Sequence, residues 1–320
     1  MFKIFDLINI PLGYLFRFLY QMLNNYGWTL VAFTVITKLI LLPLTIKQQK
    51  SMSKMQAIQP RLQELQKKYQ YDQEKLNQET MKLYKDNNVS PMGGCLPLLI
   101  QFPLLIALYN IIRSPLTYVM QLGQNGGPSI AEIAEVMNAA GANVSVNDQI
   151  NIASKIGEFI PQLTQKFGEI NILNINFSFF GLDLSQTPSL TALAPLTLIP
   201  ILAGLTTFLS SWLSNKMSGQ NASAGADNKQ STMKMMTYLF PLMTVFFAVS
   251  LPAGLGFYWI LSNIIQIAQQ FILHRMFPPV SSEGSVQKHF REREAEKIEK
   301  KKSISGNNIK SKSPKGEKHE

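Results

Sequence analysis

The chain has 320 residues, 46% hydrophobic and 16% charged, with a formal net charge of +10. The apolar residues are gathered into blocks and the charges into others, a segregation that excludes an ordinary globular domain and points to a membrane. A single cysteine, Cys95, excludes an intramolecular disulfide framework and a CxxC metal site, and reads as a small apolar residue at the start of a span.

Five apolar blocks, residues 28–46, 93–112, 191–213, 235–250 and 254–273, are each read as a transmembrane helix. The fourth is short and contains Pro241, so its limits are the least sharp. Lys and Arg number two in residues 1–27, nine in 47–92, three in 113–190, three in 214–234 and twelve in 274–320. Basic residues accumulate on the cytoplasmic side. The amino terminus and residues 113–190 are therefore expected outside the cell membrane, and residues 47–92, 214–234 and the tail in the cytoplasm.

Residues 1–27 lack the clean apolar region of a signal peptide, because Pro11, Arg17 and Gln21 interrupt it. Leu12, Leu15, Phe16, Leu19, Met22 and Leu23 recur at helical spacing after Pro11, which suits a first helical turn. The segment is read as an amphipathic helix lying on the outer surface.

The first block, WTLVAFTVITKLILLPLTI, carries one charge, Lys38, the eleventh of its nineteen residues. At about 1.5 Å per residue the ammonium sits near mid-membrane, too deep to snorkel comfortably to the headgroups. A cation at that depth costs about 2.5–3.5 kcal/mol unless it faces water, protein or a partner, and such residues mark functional sites. Thr34 and Thr37 accompany it.

Residues 47–92 turn polar, with apolar positions at three- and four-residue steps on either side of Tyr71-Asp72. They predict a cytoplasmic helical hairpin whose first arm bends at Pro60. It serves either as a solvated spacer or, with nine basic against five acidic residues, as a docking arm. Within 93–112, Pro97 and Pro103 release backbone carbonyls that need polar neighbours, and Gln101 is the candidate wall residue.

Residues 113–190 hold three basic and six acidic groups and no catalytic constellation. Ser129 and Glu132 form a capping-box pattern, residues 147–167 read as one helix stopped by Gly168, and 174–184 alternates polar and apolar. The third block continues into Thr206, Thr207, Ser210 and Ser211, and a Ser/Asn/Gly/Ala-rich loop follows at 214–234. The fourth and fifth blocks form a tight outer hairpin, and the fifth aligns Trp259, Asn263 and Gln266 on one face. Such groups are either interhelical hydrogen-bond partners or the lining of an aqueous cavity. Residues 277–320 read as a disordered basic tail that controls topology, attracts anionic lipid or contacts RNA phosphates.

Taken together, these pieces resemble the YidC/Oxa membrane protein insertases. The resemblance rests on IPLGYLFRFLYQMLNNYG, on TKLILLPLTIKQQKSMSKMQAIQPRLQELQKKY, on LYKDNNVSPMGGCLPLLIQFPLLIALY, and on FFGLDLS, LAGLTTF and LPAGLGFYWILSNIIQIAQQ, covering residues 8–112 and 174–276. It implies an all-α polytopic membrane protein in which five transmembrane helices enclose a hydrophilic groove open to cytoplasm and lipid. The overall form is similar to the short one of Gram-positive-type bacteria, which lacks a large extracytoplasmic domain before the first span. Carried over by position, Lys38 falls where the family typically has arginine, Ser210 where it often has glutamine, and Trp259 at an aromatic position. The departure at Lys38 matters because a lysine, unlike arginine, keeps its charge in a dry site only with water or an acidic guest nearby.

The groove set expected from this resemblance and from the polar pattern is Lys38, Thr34, Thr37, Gln101, Thr207, Ser210, Trp259, Asn263 and Gln266. The implied activity is insertion and chaperoning of nascent membrane proteins without nucleotide, cofactor or metal. The implied partners are the nascent chain, the ribosome, the Sec translocon with targeting factors, and the lipid bilayer. No GxxxxGK[ST] loop, HExxH or Ser/His/Asp set is visible, so no enzyme chemistry is expected. The rival readings are a small-anion transporter, which would favour an internal repeat that the chain lacks, and a non-catalytic assembly scaffold.

Overall fold

The computed structural model describes residues 3–90, 96–123, 127–168, 172–189, 194–217 and 227–277, with side chains described for all of these except 3–5, 96–101 and 227–237. The expected basic tail from 278 onward, residues 218–226 of the loop, and Cys95 lie outside the described residues.

The described chain is overwhelmingly helical. It opens with α1 (Lys3–Leu23), α2 (Tyr26–Ile40), α3 (Leu42–Lys68) and α4 (Gln73–Asp86), followed by α5 (Leu96–Arg113) and the single turn α6 (Pro115–Tyr118). Three short helices come next, α7 (Ile130–Ala139), α8 (Gln149–Lys155) and α9 (Ile160–Phe167), and then a two-residue-stranded hairpin of β1 (Ser178–Phe179) and β2 (Leu182–Asp183). The last three are α10 (Leu198–Met217), α11 (Asp227–Ser250) and α12 (Ala253–Met276).

Apolar patterning explains how α1 docks. Phe16, Leu19 and Tyr20 are buried where α1 packs on α2, α5 and α6, while Leu7, Tyr14, Phe18 and Met22 stay exposed at four- and seven-residue steps on the opposite face. Arg17 ties the helix down by donating to the Met120 carbonyl at 3.2 Å. Pro11 lies inside this helix rather than in its first turn. Only the acceptor at Leu7 loses its partner, and Leu7 is exposed.

The apolar run 28–46 does not form one straight helix. Helices α2 and α3 meet at Leu41 with a bend of 56°. Pro43 has no N–H to give to Leu39; the regular ladder reaches Leu41, which donates to the Thr37 carbonyl, and then shifts to a three-residue step as Leu44 donates to the Leu41 carbonyl, each at 3.1 Å. Helix α3 then runs on through Pro60 and packs on α4, where Ile58, Leu83 and Val89 form a small core of their own.

The main core joins α1, α2, α5, the short helices α7 to α9 and the start of α12. Phe16, Leu30, Phe33, Leu108, Ile133, Ile152 and Tyr258 are among its fully buried members. Ser129 and Glu132 make the reciprocal capping bonds at the start of α7, and Gly168, at φ +78°, closes α9. Residues 147–167 are not a single helix: a 3₁₀ turn at Ile156–Phe159 separates α8 from α9, whose first turn contains Pro161.

Among the described residues, one unit, Pro195–Met217, is by itself long and apolar enough to cross a membrane, and the bent pair α2–α3 passes the same test together. Phe102–Arg113 and Tyr238–Ser250 are shorter apolar helices. Helix α12 has the length, but Asn263, Gln266, Gln269 and Gln270 dilute its apolar character.

Candidate functional site

Three close contacts fix how α2, α10 and α12 lie together. A side chain at Gly254 would meet the Tyr26 ring at 3.0 Å, so the starts of α12 and α2 adjoin. A side chain at Gly256 would meet Ile199 at 2.7 Å, so the start of α10 adjoins them too. The third contact is polar: the Asn263 amide donates to the Thr206 hydroxyl at 3.2 Å and the Thr207 hydroxyl at 2.8 Å. Seven residues separate Gly256 from Asn263 and Ile199 from Thr206, so α10 and α12 run parallel and in step.

The same counting carries α2 along. Lys38 is twelve residues beyond Tyr26, as Gln266 is beyond Gly254, which sets both about 18 Å from the adjoining starts at 1.5 Å per residue. Ser210, eleven residues beyond Ile199, falls at nearly this level. Thr34 and Ser262, both buried, fall one turn nearer the starts. Polar residues that are far apart in sequence thus share a narrow band of depth.

Lys38 is only 7% exposed, whereas its neighbours Leu39 and Ile40 are 57% and 64% exposed. The side chain therefore turns inward. Among the described residues it makes no ion pair. Its position in the last turn of α2, just before the break at Leu41, sets the cation beside the helix's terminal carbonyls, where the backbone dipole favours positive charge.

The threonines are partly self-satisfied. Thr34 donates to the Leu30 carbonyl at 2.6 Å, Thr37 to Phe33 at 2.8 Å, and Thr207 to Ala203 at 2.7 Å. Each hydroxyl oxygen can still accept a bond, and Thr207 uses that capacity for Asn263. Ser210 is buried, and Gln266 is half-buried on α12. Trp259 packs against the edge of the main core, one turn from Asn263. Gln101 lies within α5, with its side chain outside the described set.

Residues outside the expected groove set also belong here. Ser262 is buried in the middle of α12, and Thr206 joins the Asn263 bond. At the far end of the helices, Gln48 and Ser53 of α3 are buried, and Gln56 donates to the Met217 carbonyl of α10 at 2.6 Å. Gln270 and His274 bury an oxygen and a nitrogen that lack partners among the described residues. The shared spacing of Gln266, Gln270 and His274, four residues apart, was the available signal for this extension. The arrangement can hold an extended polar or acidic segment: a buried cation, hydroxyls with spare acceptor sites and amides with both functions.

The model of the family described as 60Kd inner membrane protein matches residues 18–280. The chain belongs to that family. Curated relatives named "Membrane protein insertase YidC" include one from Caldanaerobacter subterraneus subsp. tengcongensis, 33% identical over 268 residues, covering 84% of this chain and 94% of the relative. One from Fusobacterium nucleatum subsp. nucleatum is 29% identical over 273 residues, covering 85% of this chain and 98% of the relative. A longer one, from Haemophilus ducreyi, is 34% identical over 265 residues, of which the matched part is 36% of its length. The 60Kd inner membrane protein match begins inside α1 and spans every helix that carries the polar band. Residues 281–320 fall beyond it.

Proposed function

We propose that this chain is a membrane protein insertase that takes up polar segments of nascent membrane proteins through a groove between α2, α5, α10 and α12. What carries the reading is the inward-facing Lys38, without an ion pair among the described residues, at the depth of Gln266 and Ser210 and within about one turn of the depth of the Asn263–Thr207 link. A short hydrophilic segment, often acidic, enters from the cytoplasm and is drawn toward the ammonium. Gln101, Ser210, Asn263 and Gln266 hydrate it part-way across, with Thr34, Thr37, Thr207 and Trp259 completing the walls. The apolar distance left to cross is thereby shortened.

The following hydrophobic segment leaves sideways into lipid. Burial at about 25 cal/mol per Å² makes that step downhill without nucleotide. No bond is made or broken, so the activity is not an enzyme's. In this reading the five apolar segments 28–46, 93–112, 191–213, 235–250 and 254–273 span a bacterial cell membrane, with the amino terminus outside and the carboxyl terminus in the cytoplasm. The α3–α4 hairpin receives substrate or targeting partners, and the Sec translocon acts beside the protein on some substrates. The tail holds a ribosome, so deleting residues 283–320 weakens ribosome co-sedimentation in a salt-sensitive way.

Reconstitution tests the proposal. Purified protein in liposomes inserts a small single- or double-spanning substrate without ATP. Anion flux without insertion would favour a transporter, and neither activity would favour an assembly scaffold.

A further inference from the structure

The hairpin between α9 and α10 holds an aromatic residue in an unusual place. Ser178 pairs with Asp183 and Phe179 with Leu182, leaving Phe180-Gly181 as a two-residue turn. Both turn residues have positive φ, +49° and +78°. Such a turn favours Asn-Gly, because a bulky side chain is strained in the left-handed region. Phe180 is nevertheless there, and it is 82% exposed, so the protein's own packing returns little for the strain.

Its surroundings say what does. Phe179, folded inward against Gly27, stacks near Phe257 of α12 at 5.1 Å and Phe180 at 4.6 Å. Trp28, at the start of α2, stands edge-on to Phe179 at 5.5 Å and lies 6.3 Å from Phe180. Trp28 is itself 51% exposed and tops a bare apolar stripe of α2 that continues through Val35 and Leu39. The Asn25 amide, donating to the Ser178 carbonyl at 2.8 Å, fixes the hairpin to this spot. The one charged group of the hairpin, Asp183, has its carboxylate oxygens taken by Ser185 and Gln186.

We infer that Phe180 and Trp28 form an aromatic tip that inserts into the interfacial layer of the lipid leaflet covering the starts of α2 and α12. The occupant is lipid because the patch is continuous with the bare stripe of α2, and because exposed aromatic rings at helix ends are stabilised at the headgroup–acyl boundary. The tip fixes the depth of the hairpin, and through Phe179 and Gly27 it fixes the depth of α2 against α12. The inference rests on the reading that these helices cross a membrane.

The test is Phe180→Trp in the full chain, reconstituted in bilayers whose lipids are brominated near the headgroup or near the acyl terminus. The fluorescence added by the new tryptophan is expected to be lost with headgroup-proximal bromine and to persist with aqueous iodide. The wild-type signal, which includes the exposed Trp212 on α10, reports separately whether the helices sit in lipid. Added fluorescence that iodide quenches and neither bromolipid does would overturn the tip while leaving the membrane reading intact. Added fluorescence that iodide quenches without a protein partner, and that neither iodide nor bromolipid quenches once the partner is added, would overturn the tip by assigning the patch to that partner.

Discussion

The Asn263 amide of α12 donates to the Thr207 hydroxyl of α10 at 2.8 Å, and that hydroxyl donates in turn to the Ala203 carbonyl at 2.7 Å. The link joins the two helices within the polar band, seven residues below their adjoining starts. Interhelical bonds in membranes average about 0.6 kcal/mol in double-mutant cycles and reach about 1.7. Asn263→Ala and Thr207→Val are therefore expected to couple by roughly 0.5–1.5 kcal/mol in detergent unfolding measurements. Strict additivity would show that the bond contributes nothing.

Lys38 carries the charge of the band. Lys38→Ala is expected to impair insertion of substrates with acidic translocated segments, while Lys38→Arg preserves it, since the guanidinium stays charged and reaches the same depth. The readout is complementation in a depletion strain. Equal activity of the two variants would remove the charge from the mechanism.

Tyr20 fastens α1 to the loop before the hairpin: its hydroxyl donates to the Asn174 carbonyl at 2.8 Å and accepts from the Asn176 N–H at 2.7 Å. Tyr20→Phe strands both partners and is expected to lower stability by about 1–3 kcal/mol. Burial raises the Tyr20 phenol above its ordinary value of 10.0. The unfolded chain therefore loses this proton first as pH rises, so the contribution is full below pH 10.0 and declines above it. Burial also raises Tyr26, Tyr84 and Tyr118, so alkaline titration of the melting temperature should show a decline in both proteins, smaller in Tyr20→Phe than in the wild type.

Gly13 admits the backbone of Tyr118, whose carbonyl oxygen occupies the place a side chain would take. Because the obstruction is main chain, it cannot swing aside, and Gly13→Leu has to lift α1 from α6. A loss of about 1–3 kcal/mol is expected, against near neutrality for Tyr14→Leu on the bare face. Thermal unfolding in detergent distinguishes the two.

Much of this was readable in the residues, for physical reasons. The α7 cap and the Gly168 stop depend on neighbours within a few positions. The face of α1 was legible only in part: Phe16 and Leu19 of its expected stripe are buried, whereas Met22 and Leu23 are exposed. The break at Leu41 was hidden because residues 28–46 are apolar on both sides of it, although Pro43 was its local cause. Pro11 misled in the other direction, since a proline suits a first turn but an exposed mid-helix position also tolerates it. The level shared by Lys38, Gln266 and Ser210 follows from Gly254 against Tyr26 and Gly256 against Ile199. No spacing along one helix announces such a register.

Crosslinking tests the central claim most directly, because on α2 and α10 a buried position lies next to an exposed one. Thr34 and Ser210 are buried, 0% and 4% exposed, while Val35 and Leu209 are 40% and 45% exposed. With a photoreactive residue placed singly at each position and a ribosome stalled on a membrane protein, positions 34 and 210 are expected to capture the polar segment of the nascent chain. Positions 35 and 209 are expected to capture lipid or the departing apolar segment. Capture of the polar segment at 35 and 209, with none at 34 and 210, would contradict a substrate path through the interior of the bundle.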